Sequence, residues 1–278
     1  MEEELRSIYF DFKGEEIKVP RMCCNNLKRF EDYIIRKDES CDDEMYYIEG
    51  IGLLNECNDE FLNIKVLKDF VDIGEFIYRL RNKENDTLVQ IFKKYKDEIT
   101  KKILCWCKKY GLLYGQGVNN DKSKVYITTF LNYSMNIYCK FEVWTYLTIS
   151  DYEEKEKLEY ANKILKYSFE SLEEVKEVIF PQDIKNDVIN SEIFFFPVKY
   201  EHIYSCQAIS NVLELQFLFL CTSKEGIVNE DMQYVKILEC RNCKNFYATF
   251  NARTKYCKYC NDKKARALAR QQKHRNKK

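Results

Sequence analysis

Two Cys-x-x-Cys pairs near the C-terminus, Cys240-Arg-Asn-Cys243 and Cys257-Lys-Tyr-Cys260, constrain this chain more than any other feature in it. Each pair offers two thiolates from one tight turn. The 13 residues between the pairs are enough for a small hairpin that returns the second pair to the first. The expected hairpin runs through Phe246–Phe250, turns at Asn251-Ala252 and comes back through Thr254–Tyr256. Asn261 or Asp262 then caps a helix over residues 263–272. A knuckle, a hairpin and a helix whose first turn carries the last ligand follow the treble-clef order. Four sulfurs complete a tetrahedron, so the spacing predicts one structural Zn²⁺ with no position left for water and no zinc catalysis. Arg241, Lys244, Lys255 and Lys258 flank the ligands and favour thiolate over thiol.

The formal net charge of zero conceals a division. Residues 240–278 contain thirteen Lys and Arg against one acid, Asp262, which leaves residues 1–239 with a net charge of −12. A basic appendage on an acidic body suits a polyanionic partner, DNA or RNA; it also suits an acidic protein, or the tail docking on its own body. On the expected last helix, Ala265, Leu268, Ala269 and Gln272 share one face. Lys263, Arg266, Arg270, Lys273 and Lys277 gather on the other. Such a ridge fits a groove or tracks phosphates, with Lys263, Lys264, Arg266, Arg270 and Lys273 as the expected nucleic-acid contacts.

The remainder reads as an α+β body, mainly helical with a few short strands, over residues 1–236, with the finger at 237–278. Ile8, Phe10 and Phe12 alternate before Lys13-Gly14, and Ile17 and Val19 alternate after it, which predicts a hairpin. A strand is expected within Glu44–Gly50 and a loop over Arg36–Asp43. Apolar residues at three- and four-residue spacing predict helices over Phe61–Arg81 and Thr87–Tyr110, the latter capped by Gly111. The cleanest period, Leu158, Ala161, Leu165, Ser168, Leu172, Val175 and Ile179, predicts one helix over Tyr152–Ile179, used in a bundle or as a short coiled coil. Ile193–Val198 reads as a strand, and Cys206–Cys221, apolar nearly all round, as a buried helix.

Thirteen cysteines, odd in number and irregularly placed, together with an acidic N-terminus and no long apolar run, predict a reducing, cytoplasmic setting. Histidine occurs only at positions 202 and 274, and no phosphate loop or acid–base motif stands out. Three functions follow: a nucleic-acid-binding regulator, an interaction module shaped by zinc, or an enzyme or effector with an acidic site in residues 1–239.

The stretch Leu238-Glu-Cys-Arg-Asn-Cys-Lys-Asn-Phe-Tyr, followed by Asn251-Ala-Arg-Thr-Lys-Tyr-Cys-Lys-Tyr-Cys and a basic segment, resembles the CGNR zinc-finger family. It is equally similar to uncharacterised bacterial proteins that end in a Cys-x-x-Cys, aromatic, Arg-Lys-Tyr-Cys segment. Lys108-Lys-Tyr-Gly-Leu-Leu-Tyr-Gly115 resembles the Tyr-Gly-Leu segment of the ABATE-type domain that precedes the finger in that family. The family's Cys-Gly-Asn-Arg signature stands here as Cys260-Asn-Asp-Lys263. The resemblance implies a bacterial transcription regulator with an ABATE-like N-terminal domain.

Overall fold

The largely apolar stretch Ile127–Ile149 forms helix α4 (23 residues), and several other elements pack against it. The structure is a computed structural model that describes residues 8–10, 17–18, 21–24, 27–40, 45–57, 60–62, 65–113, 123–149, 152–180, 195–196, 199–200, 203–206, 208–221, 228–229, 236–249, 251 and 253–261. Its architecture is α+β and mainly helical. No helix among the described residues is long and apolar enough to cross a membrane. Even α4 carries Lys140 and Glu142, the latter fully buried and accepting from the hydroxyls of Tyr138 (3.1 Å) and Tyr160 (2.6 Å).

Helix α1 (Lys65–Glu84) lies against α4. Its buried residues Val66, Phe70, Ile73 and Ile77 recur every three or four positions, the spacing that places them on one helix face, and Gly74 and Tyr78 are buried beside them. Phe70, Trp106 and Phe130 meet with ring centroids 5.2–5.5 Å apart at the centre of this packing.

The apolar stripe expected as one helix over Thr87–Tyr110 divides into α2 (Leu88–Lys94) and α3 (Lys96–Tyr110). Thr87 and Gln90 form a reciprocal cap at the start of α2. The break falls at Tyr95 (φ −114°, ψ 32°), whose hydroxyl donates to Glu84 at the end of α1 (2.8 Å). A tertiary hydrogen bond thus sets the kink, and periodicity is blind to it. Gly111 ends α3 with φ 91°, a conformation that side chains disfavour, and its N–H donates to the Cys107 carbonyl (2.8 Å).

The helix expected over Tyr152–Ile179 is likewise two: α5 (Glu154–Leu165) and α6 (Leu172–Ile179). Lys166 turns left-handed (φ 57°), and the Asn162 amide clasps the backbone of Phe169 from both sides (3.2 and 2.8 Å). Ser171 then caps α6 by accepting from the Glu174 N–H. The heptad-like spacing survives as separate faces of two short helices that both pack on α4, so no coiled coil forms here. The apolar segment at 206–221 does become a core helix, α7 (Ile209–Cys221), with Ile209, Val212, Leu213, Leu215, Phe217 and Leu220 buried.

Among the strands, β4 (Leu27–Lys37) and β5 (Tyr46–Cys57) form a long antiparallel pair that β7 (Lys124–Tyr126) extends. The strand expected within residues 44–50 is thus part of β5, whereas β4 carries no clear alternation and was not foreseen. The N-terminal hairpin is corrected. β1 (Ile8–Phe10) pairs in parallel with β13 (Phe246–Thr249), and β2 (Ile17–Lys18) pairs with β11 (Val228–Asn229). The two short strands therefore take partners distant in sequence, and the turn expected at Lys13-Gly14 lies outside the described residues. The remaining pairings are β3 (Arg21–Cys24) with β6 (Glu60–Leu62) and β10 (Ile203–Cys206), and β8 (Phe195–Phe196) with β9 (Lys199–Tyr200).

Candidate metal centre

The four cysteines converge. The sulfurs of Cys240, Cys243, Cys257 and Cys260 lie within 4.8 Å of one another, although the pairs are separated in sequence. Metal–thiolate bonds of about 2.3 Å in a tetrahedron place sulfurs about 3.8 Å apart. The Cys243 and Cys257 sulfurs are 3.8 Å apart, far beyond a disulfide bond, so the donor set fits a metal ion.

Backbone hydrogen bonds build each turn. The first knuckle follows β12 (Lys236–Glu239): Cys240 N–H donates to the Asn245 carbonyl (2.8 Å), and Lys244 N–H donates to the Cys240 carbonyl (2.9 Å). Lys244 closes the turn with φ 61°, in the left-handed region. In the second, Asn261 N–H donates to the Cys257 carbonyl (2.8 Å) as the short helix α8 (Lys258–Asn261) begins, so Cys260 sits in its first turn. Two contacts join the turns: Arg241 N–H to the Lys255 carbonyl (3.1 Å), and the Asn242 amide to the Cys260 sulfur (3.4 Å).

The knuckle and the helical turn that carries Cys260 are present, but the hairpin expected between them is not. β13 pairs antiparallel with β12, so the first knuckle is the tip of the hairpin, and residues 254–256 make no strand. A turn does form after residue 250, held by Thr254 N–H to the Asn251 carbonyl (3.1 Å) and Arg253 N–H to the Asn251 side chain (3.0 Å).

β13 is buried on both faces. Phe246 and Ala248 belong to the main core, while Tyr247 packs among Cys240, Cys257, Leu238 and Tyr256. The Tyr247 hydroxyl donates to the Thr254 carbonyl (2.8 Å), tying the strand to the segment that delivers Cys257. The expected boundary between residues 236 and 237 falls at the start of β12, and the β1–β13 pairing joins the chain across it. This joint was not foreseen. A run of apolar residues without alternation, Phe246-Tyr-Ala, was its available signal, since strands covered on both faces lose the polar–apolar period.

As free thiols, Cys240, Cys243 and Cys257 are unequal. Burial opposes ionisation at Cys240, but N–H groups of Cys243, Cys257 and Asn242 aimed at its sulfur outweigh it and bring the thiol down to about 7. Burial raises Cys257 to about 11 and pushes Cys243 well above the ordinary thiol range. The charge of a bound metal would ionise the remaining thiols, so binding would release protons and weaken in acid. All four donors are sulfur, which suits a closed site whose work is structural.

The flanking bases stand where the spacing put them: Arg241, Lys244 and Lys255 are exposed and Lys258 is half-buried. Lys244 pairs with Glu239 (3.0 Å). Lys263, Lys264, Arg266, Arg270 and Lys273 lie outside the described residues, as do His202, His274 and the expected helix over 263–272. The left-handed turn at position 244 yields a prediction. Lys244→Val is expected to cost about 1–2 kcal/mol, because a β-branched side chain clashes at positive φ. Lys244→Asn should stay within about 0.5 kcal/mol of wild type in the same thermal melts, since asparagine tolerates that conformation.

No protein-family model matches this chain, nor does any curated protein or solved structure.

Proposed function

We propose that the four cysteines hold one structural zinc ion and that the chain is a cytoplasmic nucleic-acid-binding regulator. In this reading the basic segment after Cys260 is the binding element and the zinc module is its rigid base. The observation that carries it is the placement of Cys260 in the first turn of α8, directly ahead of a segment with eight Lys and Arg against one acid over residues 262–278. A closed sulfur site costs the protein no flexibility there, and Arg241, Arg253 and Lys255 extend the positive charge over the exposed module surface. The resemblance to CGNR-type fingers supports the same assignment. Cys105, Cys107, Cys139 and Cys221 are free thiols, which agrees with a reducing compartment.

Titration of DNA and RNA against salt tests the reading. Binding that neutralises several phosphates loses affinity with a log–log slope of about −0.9 per phosphate on duplex DNA. Arg266→Ala and Arg270→Ala are each expected to reduce that slope by about 0.9 and to weaken all sequences alike. Absence of binding to any nucleic acid at low salt would remove the proposal. The −12 charge of residues 1–239 favours a second reading, in which the basic segment meets this acidic body or an acidic protein. There, charge reversal at Arg266 and Arg270 would abolish a protein contact, and nucleic acid would never have bound. Zinc is assigned by metal analysis of the purified protein, with one ion per chain expected. Iron, the other metal suited to four thiolates, would colour the protein.

A further inference from the structure

We infer that the surface around Tyr259 is a stacking platform for an unpaired base, which makes the partner a single-stranded nucleic acid. This rests on the nucleic-acid reading and narrows it to one class of substrate. Tyr259 is 57% exposed, while Tyr247 and Tyr256 of the same module are buried or half-buried in its small core. It lies between Lys258 and the ligand Cys260, so its backbone is held by the second knuckle and little freedom is lost when a base docks on its ring. The Lys258 ammonium lies over the ring, 5.0 Å from its centroid, and brings positive charge against one face.

The surroundings match a backbone that follows the stacked base. The hydrogen bond from Arg241 N–H to the Lys255 carbonyl brings these two exposed bases together beside the second knuckle. Arg253, also exposed, is on the same connecting segment. Lys244 is set apart from this group by its ion pair with Glu239. A flat, exposed aromatic ring that already holds one cation suits a single strand, whose bases present their faces, and not a duplex, whose base faces are stacked inside. The chemistry required is a base face plus phosphodiester charge, which DNA and RNA single strands share.

The test uses the full-length zinc-loaded protein and fluorescence anisotropy with labelled oligo-uridylate, oligo-thymidylate and a mixed-sequence duplex. Wild type is expected to prefer the single strands, and the uridylate and thymidylate arms separate RNA from DNA. Tyr259→Ala and Tyr259→Leu should each weaken single-strand binding about 5- to 100-fold while leaving duplex binding within about twofold. Tyr259→Phe should retain it, and Lys255→Ala should lower the single-strand salt slope by about 0.7. Metal content and helical signal, checked for each variant, confirm that only the surface has changed. Equal single-strand binding by wild type, Tyr259→Ala and Tyr259→Leu would overturn the platform and leave polyanion binding standing. No binding of any probe by wild type would remove both.

Discussion

Replacing Cys257 with Ser, or stripping the metal with a chelator, is expected to unfold β12, β13 and α8 and to release β1, while α1 to α7 keep their helical signal. The size follows from the site. Structural zinc contributes about 10–16 kcal/mol of apparent binding energy to such units, far more than a few strand hydrogen bonds supply. The reach follows from β13. One face of the strand rests on the cysteine cluster through Tyr247, and the other enters the main core through Phe246 and Ala248. When the cluster opens, β1 loses its parallel partner at Phe246, Tyr247 and Ala248. Hydrogen exchange would show fast amides across residues 8–10 and 236–261, with protection kept in α1 and α4. Circular dichroism should lose little at helical wavelengths. Unchanged protection of β1 after metal removal would contradict the two-sided role of β13.

Gly74→Ala is expected to destabilise the body by about 2–3 kcal/mol, the upper part of the range for overpacked cores. On an isolated helix the same change would stabilise by about 1 kcal/mol, because alanine is the better helix former. Here a Cβ on residue 74 would lie 2.1 Å from the Ser134 carbonyl oxygen and 2.8 Å from the Tyr138 Cβ. Neither can give way without moving α4, since one is backbone and the other is rooted at the helix surface. The two helices must therefore separate, and the aromatic contacts of Phe70 with Trp106 and Phe130 loosen with them. A fall in melting temperature of several degrees is expected, at about 2–4 °C per kcal/mol for a domain of this size. A melting temperature at or above that of wild type would mean that α1 and α4 are not in such close contact.

Local pattern made several elements legible. Three- and four-residue spacing located α1, the α2–α3 stripe and the faces of α5 and α6, and continuous apolar character marked α7 as a core helix. It could not show that Tyr95 and Lys166 interrupt these helices. Those breaks depend on Glu84 for the first and on the Asn162 clasp of Phe169 for the second, and neither contact has a periodic signature. Helix α4 was overlooked because apolar residues surround it, leaving little amphipathic contrast to read. Strand β5 was seen only in part: Ile51, Leu53 and Leu54 are exposed, so apolar character does not report its inner face.

The cluster of four cysteines was legible in the sequence alone, because metal coordination asks for particular atoms at short spacing, and two Cys-x-x-Cys pairs satisfy that locally. The tertiary structure decided what the centre supports. β13 chose β12 and β1 as neighbours over the return strand that local turn signals proposed, since that arrangement buries both of its faces. Burial is a property of the assembled chain, and no short stretch of residues encodes which distant surface will supply it.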